Sequence, residues 1–111
     1  MIYFLNSRAT KRQIEEMLQT LETYIKLAVD VEMGVLAGGG ALHADCEAVL
    51  IEDDSQQQKI WGADWIPETQ EVRFEALINI RPRQSNRSMT IQDVAIRQRV
   101  EQIVRSLLED A

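Results

Sequence analysis

Apolar residues in the first third of the chain recur with a spacing that changes twice. The run Ile2-Tyr3-Phe4-Leu5 predicts a short buried strand. A helix is predicted over 11–25, because Thr10 and Gln13 form a capping-box pattern. The apolar positions of that helix repeat at intervals of three and four: Ile14, Met17, Leu18, Leu21, Tyr24 and Ile25. The period then becomes two, which predicts strands over 27–33 and 35–38, as a hairpin or as one strand bent at Gly34.

The pattern in the second half is mixed. Segment 42–53 fits both a helix and a strand, and we predict a helix because Asp45 and Glu47 would occupy its first turn, where backbone N–H groups favour negative charge. A polar loop should follow through Gln58. Strands are predicted over 59–66 and 71–81, with a hairpin turn at 67–70. Their inward residues would be Trp61, Ala63 and Trp65 in the first strand, and Val72, Phe74, Ala76, Ile78 and Ile80 in the second.

The last segment predicts the clearest helix of the chain. Thr90 or Asp93 can cap it, and its apolar stripe consists of Ile96, Val100, Ile103, Val104, Leu107 and Leu108. The resulting order contains adjacent strand pairs rather than strict alternation of strands and helices. It predicts an α+β fold, a mostly antiparallel sheet of about five strands covered by two or three helices. A length of 111 residues fits one globular domain, 1–111.

Composition narrows the class of protein. Apolar residues make up 45% of the chain and charged residues 27%, which is typical of a globular protein and too hydrophobic for a disordered one. The single cysteine excludes an internal disulfide, and neither a leader pattern nor an apolar run of about 18 residues is present. We therefore expect a cytoplasmic protein without membrane contact, folding alone or as a small oligomer such as a homodimer.

The charge is distributed unevenly along the chain. Residues 1–70 carry five basic and twelve acidic side chains, a balance of −7, whereas residues 71–111 carry seven arginines and six acids, a balance of +1. A total charge of −6 disfavours general nucleic-acid binding, which depends on neutralising phosphates. RNA binding through the arginine-rich part is a weaker option, which an exposed Trp61 or Trp65 would favour.

Several separated motifs occur together in the order Val29-Asp30-Val31-Glu32-Met33-Gly34, Gly38-Gly39, His43-Ala44-Asp45, Ile60-Trp61-Gly62, Asn79-Ile80-Arg81-Pro82 and Asn86-Arg87-Ser88. In these motifs the chain resembles a family of short bacterial proteins, including cyanobacterial ones, catalogued as a domain of unknown function. The resemblance covers nearly the whole chain. It implies a self-contained single-domain protein and no particular activity.

The first candidate site follows the glycine run 38–40. His43, Asp45 and Glu47 are the candidate catalytic residues, with the imidazole as general base and the carboxylates as orienting groups. They are also the weak candidates for metal ligands, but we expect no metal and no cofactor, because the usual structural zinc site needs several Cys or His residues. A nucleophilic pair of His43 with Cys46 is disfavoured, since both would lie on one short helix. The glycines are predicted to form a flexible turn, because no Gly-Lys-Ser/Thr phosphate motif follows.

The second candidate site is the arginine loop, residues 80–88. Its predicted binding residues are Arg81, Arg83, Asn86, Arg87 and Ser88. Guanidinium groups present planar donors that match carboxylate and phosphate. The structural alternative is that salt bridges to Asp45, Glu47 or the pair Asp53-Asp54 hold this loop in place.

Two functional hypotheses follow. The leading one is a small non-catalytic interaction or regulatory protein whose arginine loop recognises an acidic protein or a small anionic ligand. The alternative is a small hydrolase or transferase with a His/Asp/Glu site and arginine clamps on an anionic substrate. The enzyme requires the fold to bring His43 and the arginine loop to one pocket.

Overall fold

Five strands form one antiparallel sheet in the computed structural model, which describes all 111 residues. The strands are β1 (Tyr3–Leu5), β2 (Ile25–Asp30), β3 (Val35–Gly40), β4 (Ile60–Ile66) and β5 (Glu71–Arg73). Their order across the sheet is β1-β3-β2-β4-β5, and every neighbouring pair is antiparallel. The α+β class and the predicted β4–β5 hairpin are confirmed. Of the two alternatives for residues 27–38, the structure has the hairpin, β2–β3.

Three helices cover the sheet on both faces: α1 (Lys11–Leu18), α2 (His43–Glu52) and α3 (Val94–Leu108). The larger core joins the sheet to α1 and α3 and includes Trp61, Ala63 and Trp65. The smaller core joins the opposite face to α2 through Ala28, Ala37, Cys46, Leu50 and Ile60. Alternate residues of the central strands therefore enter different cores, as strand geometry requires. None of the helices combines the length and apolarity needed to span a membrane.

The helix starts agree well with the sequence pattern. Thr10 and Gln13 form the predicted capping box of α1. Asp93 caps α3 by accepting hydrogen bonds from two backbone N–H groups. The predicted helix over 42–53 is confirmed as α2, with Asp45 in its first turn, but Glu47 lies beyond that turn.

Two predicted boundaries in the first half are wrong. The first helix ends at Leu18 instead of residue 25, because Glu22 adopts a left-handed conformation (φ 71°) and Ile25 pairs with Trp65 in the sheet. The predicted strand 27–33 is β2, which ends at Asp30. The buried carboxylate of Asp30 accepts hydrogen bonds from the backbone N–H groups of the turn that follows, and Met33 is consequently exposed.

The prediction for the glycine run is also wrong. Gly38, Gly39 and Gly40 are buried and continue β3 as its last residues instead of forming a flexible turn. Gly38 is paired with Tyr3 on one side and Leu27 on the other, and an added Cβ at Gly39 would collide with the backbone of Met1. The glycines allow close approach of neighbouring chain segments.

The long strand predicted over 71–81 is wrong beyond Arg73. The chain leaves the sheet edge there and forms single 3-10 turns at Leu77–Asn79 and Pro82–Gln84. The side chain of Asn79 is fully buried and hydrogen-bonds to the backbone N–H and C=O of Gly62 in β4. A neighbouring strand would otherwise pair with these two groups. Ile80, predicted on the inward face, is therefore exposed.

Candidate functional site

Arg81 is the residue that joins the two candidate segments. Its Nη2 atom lies 3.3 Å from Glu47 Oε2 in α2, and both side chains are almost nine-tenths buried. Its other donors bind the carbonyl oxygens of Ile78 and Gln57, and the guanidinium lies 4.8 Å from the Trp61 ring centroid. The structural alternative is thus correct for Arg81, with Glu47 as the partner.

Two buried asparagines shape the arginine loop. Asn79 Oδ1 accepts a hydrogen bond from Gly62 N, and Asn79 Nδ2 donates to Gly62 O, so the amide imitates a paired strand at the open edge of β4. Asn86 Nδ2 donates to three backbone carbonyls, including that of Asn79. Backbone hydrogen bonds in both directions between Arg81 and Asn86 close the loop. The loop is held in one shape before any ligand arrives.

The predicted binding residues therefore divide into two groups. Asn86 is buried and its amide is fully used by backbone groups in and beside the loop, and Ser88 Oγ accepts a hydrogen bond from Thr90 N. Arg83 and Arg87 are exposed and their guanidinium groups have neither ion pairs nor hydrogen bonds within the chain. Only these two side chains of the loop carry an uncompensated positive charge.

An open polar cavity of about 540 Å³ lies beside Arg81. It is lined by Gln57, Gln58, Arg81, Pro82, Arg83 and Gln84. Arg87 is outside it. Gln84 bridges the two walls by donating to the carbonyl of Gln58, and Arg81 bridges them through Gln57. The cavity thus presents one anchored and one free guanidinium with neutral amides, a donor set suited to an anionic oxygen group.

Burial controls the protonation of the pair at the base of this cavity. Burial raises the pKa of Glu47 above its ordinary 4.5, and the nearby Arg81 charge opposes that rise. Burial likewise lowers the pKa of Arg81, opposed by Glu47. For the charged form of each group, the cost of removal from water therefore exceeds the stabilisation by its partner, as is common for buried ion pairs.

His43 begins α2 and lies in a different environment. Its Nε2 atom is 2.8 Å from Asp64 Oδ1 and 3.1 Å from the carbonyl oxygen of Ala63, both in β4. Two acceptors at one nitrogen place a proton on Nε2, and Nδ1 has no partner in the chain. This is the arrangement of a histidine oriented by a carboxylate.

The fold does not assemble the other combinations considered for this segment. Asp45 is exposed and pairs with no base, while Glu47 pairs with Arg81. No three His, Cys, Asp or Glu side chains converge as a metal site. The Cys46 thiol is buried and lies 3.5 Å from the carbonyl oxygen of Lys26, and its burial raises the pKa of the thiol. His43 and the arginines line separate cavities, and no cavity contains both.

The tryptophans lie inside the protein. Trp61 is 2% exposed and Trp65 is fully buried, so neither offers a free face for stacking on a base. The observation that would have favoured RNA binding is therefore absent.

Sequence reasoning missed Asp64, Asn79 and Gln57 as parts of these sites. A signal existed for Asp64, because it is the one charged residue in the apolar strand β4, on the face opposite Trp61 and Trp65. Asn79 is the only amide side chain in the alternating apolar run 71–81, which the sequence pattern wrongly predicts as one strand. Nothing in the sequence marks Gln57 among its glutamine neighbours.

Comparison with known proteins gives one match. A family model described as "Protein of unknown function (DUF5674)" matches residues 3–107. No curated protein and no solved structure shows significant similarity to the chain. The resemblance to an uncharacterised family is confirmed over nearly the whole chain, whereas a bacterial source stays a prediction.

Proposed function

Because the chain belongs to DUF5674, a family of unknown function, we propose from its geometry alone that it is a non-catalytic binding protein for an acidic or anionic partner. The binding element is the arginine pocket, defined as the polar cavity of Gln57, Gln58, Arg81, Pro82, Arg83 and Gln84. One observation carries the proposal. The free guanidinium of Arg83 lies in a preformed cavity whose second guanidinium, that of Arg81, is already held in place.

The preformed shape of the arginine pocket supports the proposed binding of an anionic partner. A long cationic side chain normally loses conformational entropy when it binds, and holding part of the site in advance reduces that cost. Arg81 is held by Glu47, two carbonyl groups and Trp61, while the network of Asn79 and Asn86 maintains the loop. The remaining exposed cation, Arg83, supplies the long-range attraction to a negative partner.

Because the protein as a whole is negatively charged, a local cluster of arginines determines where an acidic partner binds. With a net charge of −6, the protein as a whole repels acidic molecules, and clustered arginines oppose that repulsion locally. An acidic partner would therefore be oriented toward the arginine pocket on approach. Such binding weakens as salt is added, since exposed charges are screened.

The test is titration of the protein with a short oligoglutamate peptide and, separately, with inorganic phosphate, followed by calorimetry and by backbone amide shifts. Shifts should concentrate at 57–58 and 81–84. Arg83→Gln should weaken binding about threefold to tenfold, the value of one charge-assisted hydrogen bond at an exposed site.

Two control variants each remove one arginine charge outside the arginine pocket. Arg73 in β5 is exposed and forms no ion pair, and Arg87 belongs to the arginine loop but lies outside the pocket. Arg73→Gln should leave the affinity unchanged, and Arg87→Gln should reduce it less than Arg83→Gln does. Equal losses for all three variants would refute a specific pocket and leave only an effect of net charge.

A further inference from the structure

A second, apolar cavity opens next to the arginine pocket. Its volume is about 270 Å³, and its walls are formed by Lys26, Leu42, His43, Ala44, Glu75, Ala76, Leu77, Ile78 and Met89. Three of these apolar side chains are strongly exposed: Leu77 is 73% exposed, Leu42 57% and Met89 41%. Large apolar side chains gathered in the open around one cavity are typical of a surface that is covered by a partner.

His43 gives this mostly apolar cavity, whose other polar lining residues are Lys26 and Glu75, a polar group held in a fixed orientation. Asp64 and the carbonyl of Ala63 both lie at Nε2, and Nδ1 has no partner in the chain. An oriented polar group among mostly apolar walls is a common feature of binding cavities, because it fixes the orientation of the occupant. A backbone polar group of a bound chain would pair with Nδ1.

The apolar cavity and the arginine pocket are neighbours along two elements. In α2, His43 lines the first, and Glu47, one helical turn later, holds Arg81 of the second. The segment 75–84 also passes from one to the other, and Arg81 Nε donates to the carbonyl of Ile78 between them. Four helical residues rise about 6 Å, and the contact of 3.3 Å between Glu47 and Arg81 adds to this rise, so His43 and the Arg81 guanidinium lie roughly 6–10 Å apart. An extended peptide covers that distance in about two or three residues.

We infer that the partner is an extended peptide segment of another protein, with a bulky apolar side chain in the apolar cavity and an acidic side chain in the arginine pocket. The acidic group follows from charge complementarity with the unpaired guanidinium of Arg83, and the spacing of about two or three residues follows from the geometry. The inference rests on the proposed function and specifies its partner.

The experiment uses three short acetylated and amidated peptides with glycine and serine flanks. The first carries a leucine and, about three positions away, a pair of glutamates; the second has serine for the leucine; the third has glutamines for the glutamates. The full-length protein should bind the first peptide at least about tenfold more tightly than the second, since burying a leucine side chain is worth that much.

Leu77 offers a variant that tests the cavity without threatening the fold, because its side chain is mostly in solvent. Leu77→Ser should reduce the preference for the leucine peptide to less than about threefold. Met33 is similarly exposed, at 68%, and lies in the turn between β2 and β3, away from both cavities. Met33→Ser should keep the full preference.

The outcomes separate this inference from the proposed function. Equal binding of the first two peptides, both sensitive to Arg83→Gln, overturns the inference and leaves the arginine pocket standing. A leucine preference that survives Leu77→Ser overturns it as well. If the first and third peptides bind equally and Arg83→Gln has no effect, the proposed function fails and the inference falls with it.

Discussion

Single polar side chains hold the irregular part of this protein together. Asn79 has no exposed surface, and its amide satisfies both backbone groups of Gly62 as well as the carbonyls of Phe74 and Met89. Gly62 is required at that position, because a Cβ there would collide with Ala76. The contact between one asparagine and one glycine thus joins the segment that carries the arginines to the sheet.

Removing the side-chain amide of Asn79 should lower the stability of the protein. Asn79→Ala leaves the buried N–H and C=O of Gly62 without partners, and we expect the free energy of unfolding to fall by about 2–4 kcal/mol. Urea unfolding followed by tryptophan fluorescence measures the change. Asn6→Ala is the matched control, since Asn6 is exposed and forms no hydrogen bond through its side chain, and it should change stability by less than about 0.5 kcal/mol. Equal effects of the two substitutions would contradict the assigned role.

Glu47 makes stability depend on pH in a defined direction. Burial raises the pKa of Glu47 above 4.5, so the folded chain holds this proton more tightly than the unfolded chain does. The contribution of Glu47 to the free energy of unfolding must then fall as the pH rises from 4.5 through the raised pKa. The stability of the wild type relative to Glu47→Gln should accordingly decrease with pH.

Urea unfolding at several pH values between about 5 and 7 measures this dependence. Glu52→Gln is the control, because Glu52 is an exposed residue of the same helix without an ion pair. Its stability relative to the wild type should not vary with pH. If the wild type instead gains stability relative to Glu47→Gln as the pH rises, the Arg81 charge outweighs burial and the pKa of Glu47 is not raised.

At the scale of elements, local signals decide where helices begin, and distant contacts decide where strands end. The first backbone N–H groups of α1 and α3 are satisfied by side chains a few residues away, namely Thr10 and Asp93. By contrast, β2 ends because Asp30 folds back onto the following turn and also accepts a hydrogen bond from Ser55 Oγ. The alternation of Val31 and Met33 looks like a continuing strand only when that turn is ignored.

The cap of α3 is a direct test at this scale. Asp93→Ala should lower the free energy of unfolding by about 1 kcal/mol, because two N–H groups lose their acceptor. Asp93→Ser retains an acceptor oxygen and should lose less than half as much. Chemical denaturation of the three proteins gives the comparison. Identical stability of the alanine and serine variants would mean that the hydrogen bonds of the cap contribute nothing.

At the scale of the whole molecule, one sheet connects two cores. Trp61 and Trp65 report on the larger core, and Cys46 reports on the smaller core with α2. Because β2, β3 and β4 supply residues to both, opening one face should disturb the other. We expect the two cores to unfold in one cooperative transition.

Two probes test this cooperativity on the unmodified chain. Tryptophan emission in urea follows the larger core, and the rate of Cys46 labelling by a thiol-specific disulfide reagent follows the smaller one. In the native protein Cys46 should label slowly, since the thiol is buried and its burial raises its pKa. The two transitions should share one midpoint. Labelling that is complete at urea concentrations where tryptophan emission is still native would show that α2 opens separately.

The element order was predictable because it depends on neighbouring residues. Apolar periods of two and of three to four, with Thr10 and Asp93 as caps, indicate the strands and helices that the structure contains. The two-faced burial of β2, with Val29 in one core and Ala28 in the other, follows from the strand period. The sequence alone therefore determined the α+β class and the two stretches worth testing as sites, whereas it left open whether 27–38 forms a hairpin or one bent strand.

The sites themselves depended on contacts between distant residues. Arg81 and Glu47 are 34 positions apart, and His43 and Asp64 are 21 apart. Which distant side chains meet is set by the register of the sheet and by the point where the chain leaves its edge after Arg73, and no local pattern encodes either. Only the tertiary structure decided that Arg81 is an anchored residue, that Arg83 is free, and that His43 faces a separate apolar cavity. The physical reason is that burial and partner choice are properties of the packed chain, whereas periodicity is a property of the linear one.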